Sequence, residues 1–468
     1  MAYAPPAAQQ PGAAPPPRPP RRARPGALSF LLGALVWLLI LYLTIPGDIL
    51  TPQDQQDPNS HTNMSDPNPV ARTIKMGLLI IGVIVMLGRS ATLQRLLKHT
   101  NRWFLVFLVL VPASCAWSIS PGDTLARYVT MLSLVAIAGA FCLVDWHPQR
   151  FQNVVRPAVT LLLAGSIALY LYNPDLAIEH GEGTLENAWH GLAVQKNPFG
   201  QIATVGVILW MHGLLSGEVK LIWALVGLAI SFTCLIGSRS STSIFASIFV
   251  CCFMLLLLRT PRYFQRYMPY VVTTFALLVM AYALAILHLV PGLSILLAPA
   301  LSLSGKDMTF SNRSEIWRII TEHIQLSPVL GSGYGAYWVG PLTTSPSYRF
   351  VQELYFYPTE SHNGYLEITN DLGFVGLIVL IAYLIVFVSQ SLQVFKRERM
   401  QGSLYLALFF QQAIINLSES CWLSISAGTI FSIMTLATFA LARSSMDNAA
   451  ARATAARAAG AWQPRRVA

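Results

Sequence analysis

Charge is what this sequence has least of. Only 11% of its 468 residues are Asp, Glu, Lys or Arg, against 54% hydrophobic, whereas water-soluble globular chains carry about 25% charged residues. A chain that cannot cover itself with charge faces something other than water, which excludes two or three soluble domains despite the length. Cysteine is also sparse. Most of Cys115, Cys142, Cys234, Cys251, Cys252 and Cys421 fall inside or at the ends of apolar runs, and none forms a CxxC pair. That excludes a disulfide framework or zinc site and leaves buried thiols acting as small hydrophobes. An internal repeat is missing, and so is a nucleotide-binding glycine loop, because Gly331-Ser332-Gly333 lacks the preceding strand. The net charge of +10 does not indicate nucleic acid, since the Lys and Arg residues sit in short loops and in both tails.

What is present is hydrophobic run after hydrophobic run. A bilayer core needs about 20 apolar residues per helix, and about twelve runs approach that length. They lie near 28–46, 74–89, 103–119, 127–145, 154–172, 198–215, 219–237, 243–259, 269–291, 372–393, 402–418 and 424–443. The expected fold is an all-α, polytopic membrane helical bundle. Residues 1–26, rich in Pro and Arg, have no apolar face and are expected to form an extended tail. The first run ends at Pro46-Gly47-Asp48 without a small-residue cleavage site, so it is read as a retained helix. The expected organisation is a tail over 1–26, a membrane domain over 27–443 and a basic tail over 444–468.

Basic residues mark every second loop: Arg89, Arg95, Lys98 and Arg102; Arg150 and Arg156; Lys220; Arg259, Arg262 and Arg266; Lys396, Arg397 and Arg399. With Arg18, Arg21, Arg22 and Arg24 before the first run, the positive-inside rule predicts both termini in the cytoplasm. The outer loops are then 47–73, 120–126, 173–197, 238–242, 292–371 and 419–423. Loop 292–371, between the ninth and tenth helices, is long enough to require structure of its own. Ser311-Asn312-Arg313-Ser314-Glu315 reads as a helix start, Ile316, Ile320 and Ile324 give it an apolar face, and Gly331 to Gly335 predict a flexible turn after it.

Cations on the outer side run against topology, so Arg127, Lys196, Arg239, Lys306, Arg313, Arg318 and Arg349 stand out. Lys306 and Arg349 read equally well as ordinary loop charges. Arg239 sits in a hydroxyl-rich turn, Gly237-Ser238-Arg239-Ser240-Ser241, where it either snorkels or grips an anion with help from a helix start. Lys196 precedes a helix, where the dipole disfavours a cation unless an anion lies between; a snorkelling interfacial lysine is the plainer reading. His362, in Ser361-His362-Asn363-Gly364, leads into the tenth helix and titrates near neutral pH, although a lone histidine is more often structural. Cations and a base at one membrane surface suit an anionic lipid-linked substrate.

At these residues the sequence resembles the O-antigen ligase and O-antigen/exopolysaccharide polymerase superfamily, over about residues 28–440. The resemblance is carried by Trp117-Ser118 with Arg127, His190-Gly191 with Lys196-Asn197-Pro198-Phe199-Gly200, Ser238-Arg239-Ser240, Arg313 with Trp317, Gly331 to Gly335, and His362-Asn363-Gly364-Tyr365-Leu366 followed by Gly373 and Gly376. It implies a glycosyltransferase of the bacterial inner membrane with an undecaprenyl-diphosphate-linked glycan as donor and no cofactor, metal or nucleotide sugar. The long periplasmic loop would cap the site. His362 would be the base that activates the acceptor hydroxyl, and Arg239 and Arg313 would hold the diphosphate. Lys196 and Arg318 would assist, with Asn197, Arg127 and Asn363 as further substrate contacts. The expected acceptor is lipid A–core, as for a ligase; the alternative is a second lipid-linked repeat unit, as for a polymerase. A lipid-linked glycan transporter or flippase is the rival class, disfavoured because His212 and His288 are the main ionisable groups inside helices. A polyprenol-monophosphate transferase would need a carboxylate among Asp48, Asp54, Asp57 and Asp66.

Overall fold

The computed structural model describes residues 26–46, 69–180, 186–286, 313–341 and 343–461. Lys306, His288, Ser311, Asn312 and the four first-loop aspartates lie outside the described residues, as do most of the first tail and the end of the second. Within them the chain is helical, with one isolated β-bridge between Ile178 and Trp189. The helices are α1 (Ala27–Thr44), α2 (Pro69–Gly88), α3 (Ser90–His99), α4 (Arg102–Ala113), α5 (Pro121–Leu143), α6 (Arg150–Tyr172), α7 (Lys196–Ser216), α8 (Leu221–Gly237) and α9 (Ser241–Arg259). There follow α10 (Arg262–Gln265), α11 (Met268–Ile286), α12 (Arg313–Ile324), α13 (Arg349–Leu354), α14 (Gly364–Phe395), α15 (Arg399–Ile415) and α16 (Gly428–Ala461). This is a polytopic helical membrane protein.

Each of the apolar runs read from the sequence falls on a helix, but they differ in reach. Among the described residues seven helices are long and apolar enough to cross a membrane, and an eighth span is counted if α2 and α3 are taken together. That pair bends by 98° at Arg89, where the apolar run gives way to Arg89, Arg95 and Lys98. Stretches 102–116, 221–237 and 268–278 are apolar but shorter. α4 stops early because Pro112 leads it into a 3-10 turn. α16 continues well past residue 443, so the first part of the basic tail is helix.

Exposed Leu, Ile and Phe side chains cover the outside of the bundle, including Phe30, Ile84, Leu171, Ile236 and Ile248. Such a surface is at home in lipid and would aggregate in water. Inside, α14 packs on α4, α15 and α16, and α7 on α8, α9 and α15.

The described part of the long loop forms a small second core. Ile316, Ile319, Ile320 and Ile324 on one face of α12 meet Tyr337, Trp338, Phe350 and Leu366. The segment after α12 is not a loose turn. α14 is broken at Gly373 (φ 63°, ψ −164°), a conformation open essentially to glycine, and a Cβ there would lie 2.2 Å from the Val329 carbonyl oxygen. A broken membrane helix leaves backbone groups unpaired, each costing several kcal/mol in hydrocarbon. Here the loop pairs them. Ser332 and Gly333 N–H donate to the carbonyls of Asn370 and Asp371 (3.1 and 2.9 Å), and Phe374 and Val375 N–H donate to the carbonyls of Pro328 and Val329 (2.8 and 3.2 Å). The Gly331 to Gly335 run is therefore a fitted clasp on α14, and it fixes the cap over the helix ends.

Candidate active site

Two short segments meet at one end of the bundle. The first, residues 360–364, enters α14, and Asn363 caps that helix by accepting from Tyr365 N–H and Leu366 N–H, both at 3.1 Å. The second, residues 416–422, leaves α15. They are tied by Gly364 N–H to the Asn416 carbonyl (3.0 Å), by Ser361 and Ser420 hydroxyls (2.9 Å), and by Asn363 N–H to Ser420 Oγ (3.2 Å). Trp317 of α12 donates to the Ser361 carbonyl at 3.0 Å, which joins the cap to the same turn. His362 has φ of 52°, a left-handed conformation uncommon outside glycine that persists where its neighbours over-determine it.

This scaffold puts His362 between two carboxylates. Its Nδ1 lies 3.2 Å from Glu360 Oε1 and 3.4 Å from Glu419 Oε2. Arg313, at the start of α12, pairs with Glu419 Oε1 at 2.8 Å, and Asn197 Nδ2 donates to the same oxygen at 2.9 Å. Glu419, buried and shared by three partners, is thus the hub that gathers His362, Arg313 and Asn197. Burial alone would discharge the imidazole, but the hydrogen bonds and charges of Glu360 and Glu419 outweigh it and raise His362 to about 10. Burial holds Glu360 above the usual carboxylate range although His362 pulls it down. Burial would also raise Glu419, but His362 and then Arg313 bring it below that range. At neutral pH His362 is therefore a cation, and an imidazolium has no lone pair with which to take a proton.

Lys196 starts α7, with its N–H on Glu179 Oε1 at 2.6 Å. The charges of Glu179, Arg239, Arg313 and Glu419 all act on its ammonium, which places these groups in one field. Arg239 is exposed in the turn between α8 and α9, has φ of 49°, and donates from NH1 to the Glu186 carbonyl at 2.7 Å. Arg127, on α5, lines a cavity of about 220 Å³ together with Glu360 and Glu419. Asn363 has its Oδ1 committed to the cap, while its buried Nδ2 has no hydrogen-bond partner.

Arg318 is not brought to this cluster. It is exposed and engaged by Glu315 (2.9 Å), Glu322 (2.9 Å) and Glu353 (2.5 Å), with Arg349 paired to Glu322 and Glu353 beside it. Those three carboxylates already satisfy the guanidinium that the sequence offered for an anion.

Residues 226–381 match the sequence model of the family described as O-Antigen ligase. The chain is also 25% identical over 334 residues to the exopolysaccharide production protein ExoQ of Rhizobium meliloti (strain 1021), covering 67% of this chain and 72% of that protein. These similarities support a membrane enzyme of the O-antigen ligase or polysaccharide polymerase type. The matched stretch of this ligase-type domain holds Arg239, Arg313, His362 and Asn363. Lys196, Asn197, Arg127 and Glu419 come from outside it, so helices on both sides of the domain complete the cluster.

Sequence reasoning missed Glu360 and Glu419. Glu360 was visible two residues before His362, and Glu419 as an acid in a short serine-rich outer loop. Glu360, His362 and Glu419 present ligand-type atoms within 4.8 Å of one another and are the group best able to hold a metal ion among the described residues. An ion there would have to displace the His362 proton and compete with Arg313 and Asn197 for Glu419.

Proposed function

We propose that the protein transfers a glycan from an undecaprenyl-diphosphate-linked donor to an acceptor hydroxyl at the periplasmic face of the bacterial inner membrane, with both termini in the cytoplasm. The observation that carries this reading is the meeting of His362, Glu360 and Glu419 with Arg313, in the field of Lys196 and Arg239, at one end of the membrane helices. The diphosphate lies against Arg239, Arg313 and Lys196. The acceptor oxygen attacks the anomeric carbon on the side opposite the diphosphate, so the configuration inverts. The new C–O bond forms as the anomeric C–O bond to the diphosphate breaks. The hydroxyl proton goes to Glu360, whose carboxylate is made more basic than usual by burial. His362 stays at the reacting centre as the imidazolium that steadies Glu360 and Glu419. The departing undecaprenyl diphosphate leaves with its extra negative charge on the arginines, an electrostatic contribution fixed in advance.

The reading requires no metal, because His362, Arg313 and Asn197 already balance and bond Glu419. A chelator therefore leaves transfer unchanged. For the acceptor, similarity to an exopolysaccharide production protein across most of both chains favours a second lipid-linked repeat unit. The O-antigen ligase description of residues 226–381 favours lipid A–core as the other reading. The test uses purified protein with an undecaprenyl-diphosphate glycan and each acceptor offered separately, followed by size on a gel. Lengthening of the lipid-linked glycan marks a polymerase, and product on lipid A–core marks a ligase. No product with either, in wild type as in His362→Ala, overturns the transferase reading and leaves flipping as the activity to measure.

A further inference from the structure

The cavity beside the cluster has two characters. Its lining includes the polar Arg127, Thr359, Glu360 and Glu419 and the apolar Leu43, Ile202 and Ile430. Arg239, Arg313 and Lys196 do not line it, so the groups assigned to the diphosphate stand outside this space. At about 220 Å³ it is below the roughly 300–1,000 Å³ of clefts that take drug-sized ligands, a size suited to a single sugar ring.

Arg127 is the group in this wall that lacks an answer. Its side chain is 5% exposed. NH2 donates to the Trp338 carbonyl at 2.7 Å, but Nε is buried without a hydrogen-bond partner, and among the described residues Arg127 makes no ion pair. Of the carboxylates nearby, Glu360 is committed to His362 and Glu419 to His362, Arg313 and Asn197, while Asp371, on which the Arg127 charge acts, accepts from Gly335 N–H at 2.8 Å and makes no ion pair with Arg127. Trp338 is itself fixed, its indole N–H on Glu367 at 2.7 Å and its ring stacked on Phe350 at 5.3 Å. Gly335 presses on the Arg127 stem so closely that a Cβ there would lie 2.4 Å from Cδ. The guanidinium is held rigidly in a buried wall, where a donor left without an acceptor is costly.

We infer that this cavity is the acceptor subsite and that the acceptor sugar carries an anionic group, a carboxylate or a phosphate, which pairs with Arg127. The inference rests on the transferase reading. It gives Arg127 a partner distinct from the donor diphosphate and holds the acceptor ring against Glu360, the group that takes its proton. A guanidinium and an oxyanion make charge-assisted hydrogen bonds about twice as strong as neutral ones.

The test is binding to the full chain in detergent, by saturation-transfer NMR, with methyl glucoside, methyl glucuronide and glucose 6-phosphate as probes. The expected result is that at least one anionic sugar binds about tenfold or more tighter than the neutral one. That advantage falls with salt, disappears in Arg127→Gln and partly survives in Arg127→Lys. Preference for the glucuronide identifies a carboxylate, and preference for the phosphate identifies a phosphorylated sugar. Equal binding of all three probes to wild type overturns the inference, and so does an anionic advantage that persists in a folded Arg127→Gln. If Arg127→Gln fails to fold, Thr359→Trp decides, since it fills the cavity from an exposed position. It must abolish binding of the anionic sugars, and their undiminished binding overturns the inference. The diphosphate is a separate arm. If Arg239→Ala leaves undecaprenyl diphosphate binding intact, the transferase reading fails, whatever the sugars do at Arg127.

Discussion

Two buried polar networks sit at opposite ends of α7 and α15, and their ingredients are nearly the same. At the inner end Arg156 pairs with Glu218 at 3.0 Å, Gln152 donates to Glu218 and Gln401, Gln401 donates to Tyr405, and His212 reaches the Met400 carbonyl at 3.1 Å. At the outer end stand His362, Glu360, Glu419, Arg313, Asn197 and Lys196. The inner network joins one cation to one anion with neutral amides and a phenol around them, and it closes on itself. The outer network has cations beyond those its carboxylates balance, positive φ at Arg239 and His362, and a cavity beside it. Buried polarity alone does not mark a site. Unbalanced charge held in fixed, strained positions next to open space does.

The largest break in this comparison comes from His362→Ala, Arg239→Ala and Arg313→Ala. Each is expected to lower transfer about 10²–10³-fold, the scale of losing one preorganised donor, while the thermal transition in detergent stays near that of wild type. Arg239→Lys is also impaired if the guanidinium grips phosphate with two bonds. Glu419→Gln comes next. It keeps the shape but removes the charge that holds His362 and Arg313 and turns one accepting oxygen into a donor, so activity falls about 10-fold or more and the His362 pKa, read by NMR, moves down from about 10. The inner network answers in the opposite currency. Glu218→Gln is expected to cost about 1–3 kcal/mol of stability by leaving Arg156 without its counter-charge, seen as a lower melting temperature with transfer per folded molecule unchanged. A drop in activity there without a drop in stability would break the contrast. Smallest of all is Arg318→Ala, a surface network worth about 1 kcal/mol or less, with transfer expected to stay within about twofold.

Acidity gives a further measurement. His362 is raised in the folded protein, so its contribution to stability is complete below the ordinary histidine value near 6.5 and is lost as pH rises toward about 10. Glu419 is lowered, so its contribution is complete above the ordinary carboxylate value and is lost as pH falls through its folded value. Melting temperature against pH should decline on both flanks in wild type. The alkaline decline should be absent in His362→Ala.

The fold was legible because hydrocarbon imposes a period and a length that residues 28–45 or 372–393 display openly. Lys196, Arg239 and Arg313 stood out in the sequence because cations on the expected outer side run against a strong rule, and His362 because an imidazole titrates near neutral pH. Glu360 and Glu419 contradict no rule, since acids are ordinary in outer loops, and only the meeting of two distant segments makes them partners of His362. Arg318 misled because charge was read without register. Glu315 and Glu322, three residues before it and four after, already stood where a helix would pair them with it. The glycines at 331, 333 and 335 read as looseness, yet their positive φ serves close contact with α14 and Arg127.

The clasp on α14 also orders how the protein is made. Residues 328–333, which close the break at Gly373, precede α14 in the chain. The chain thus holds the groups that complete the break before it holds the break itself. The segment therefore acts as an assembly partner carried in cis, and the cap and the tenth apolar run mature as one step of biogenesis rather than two.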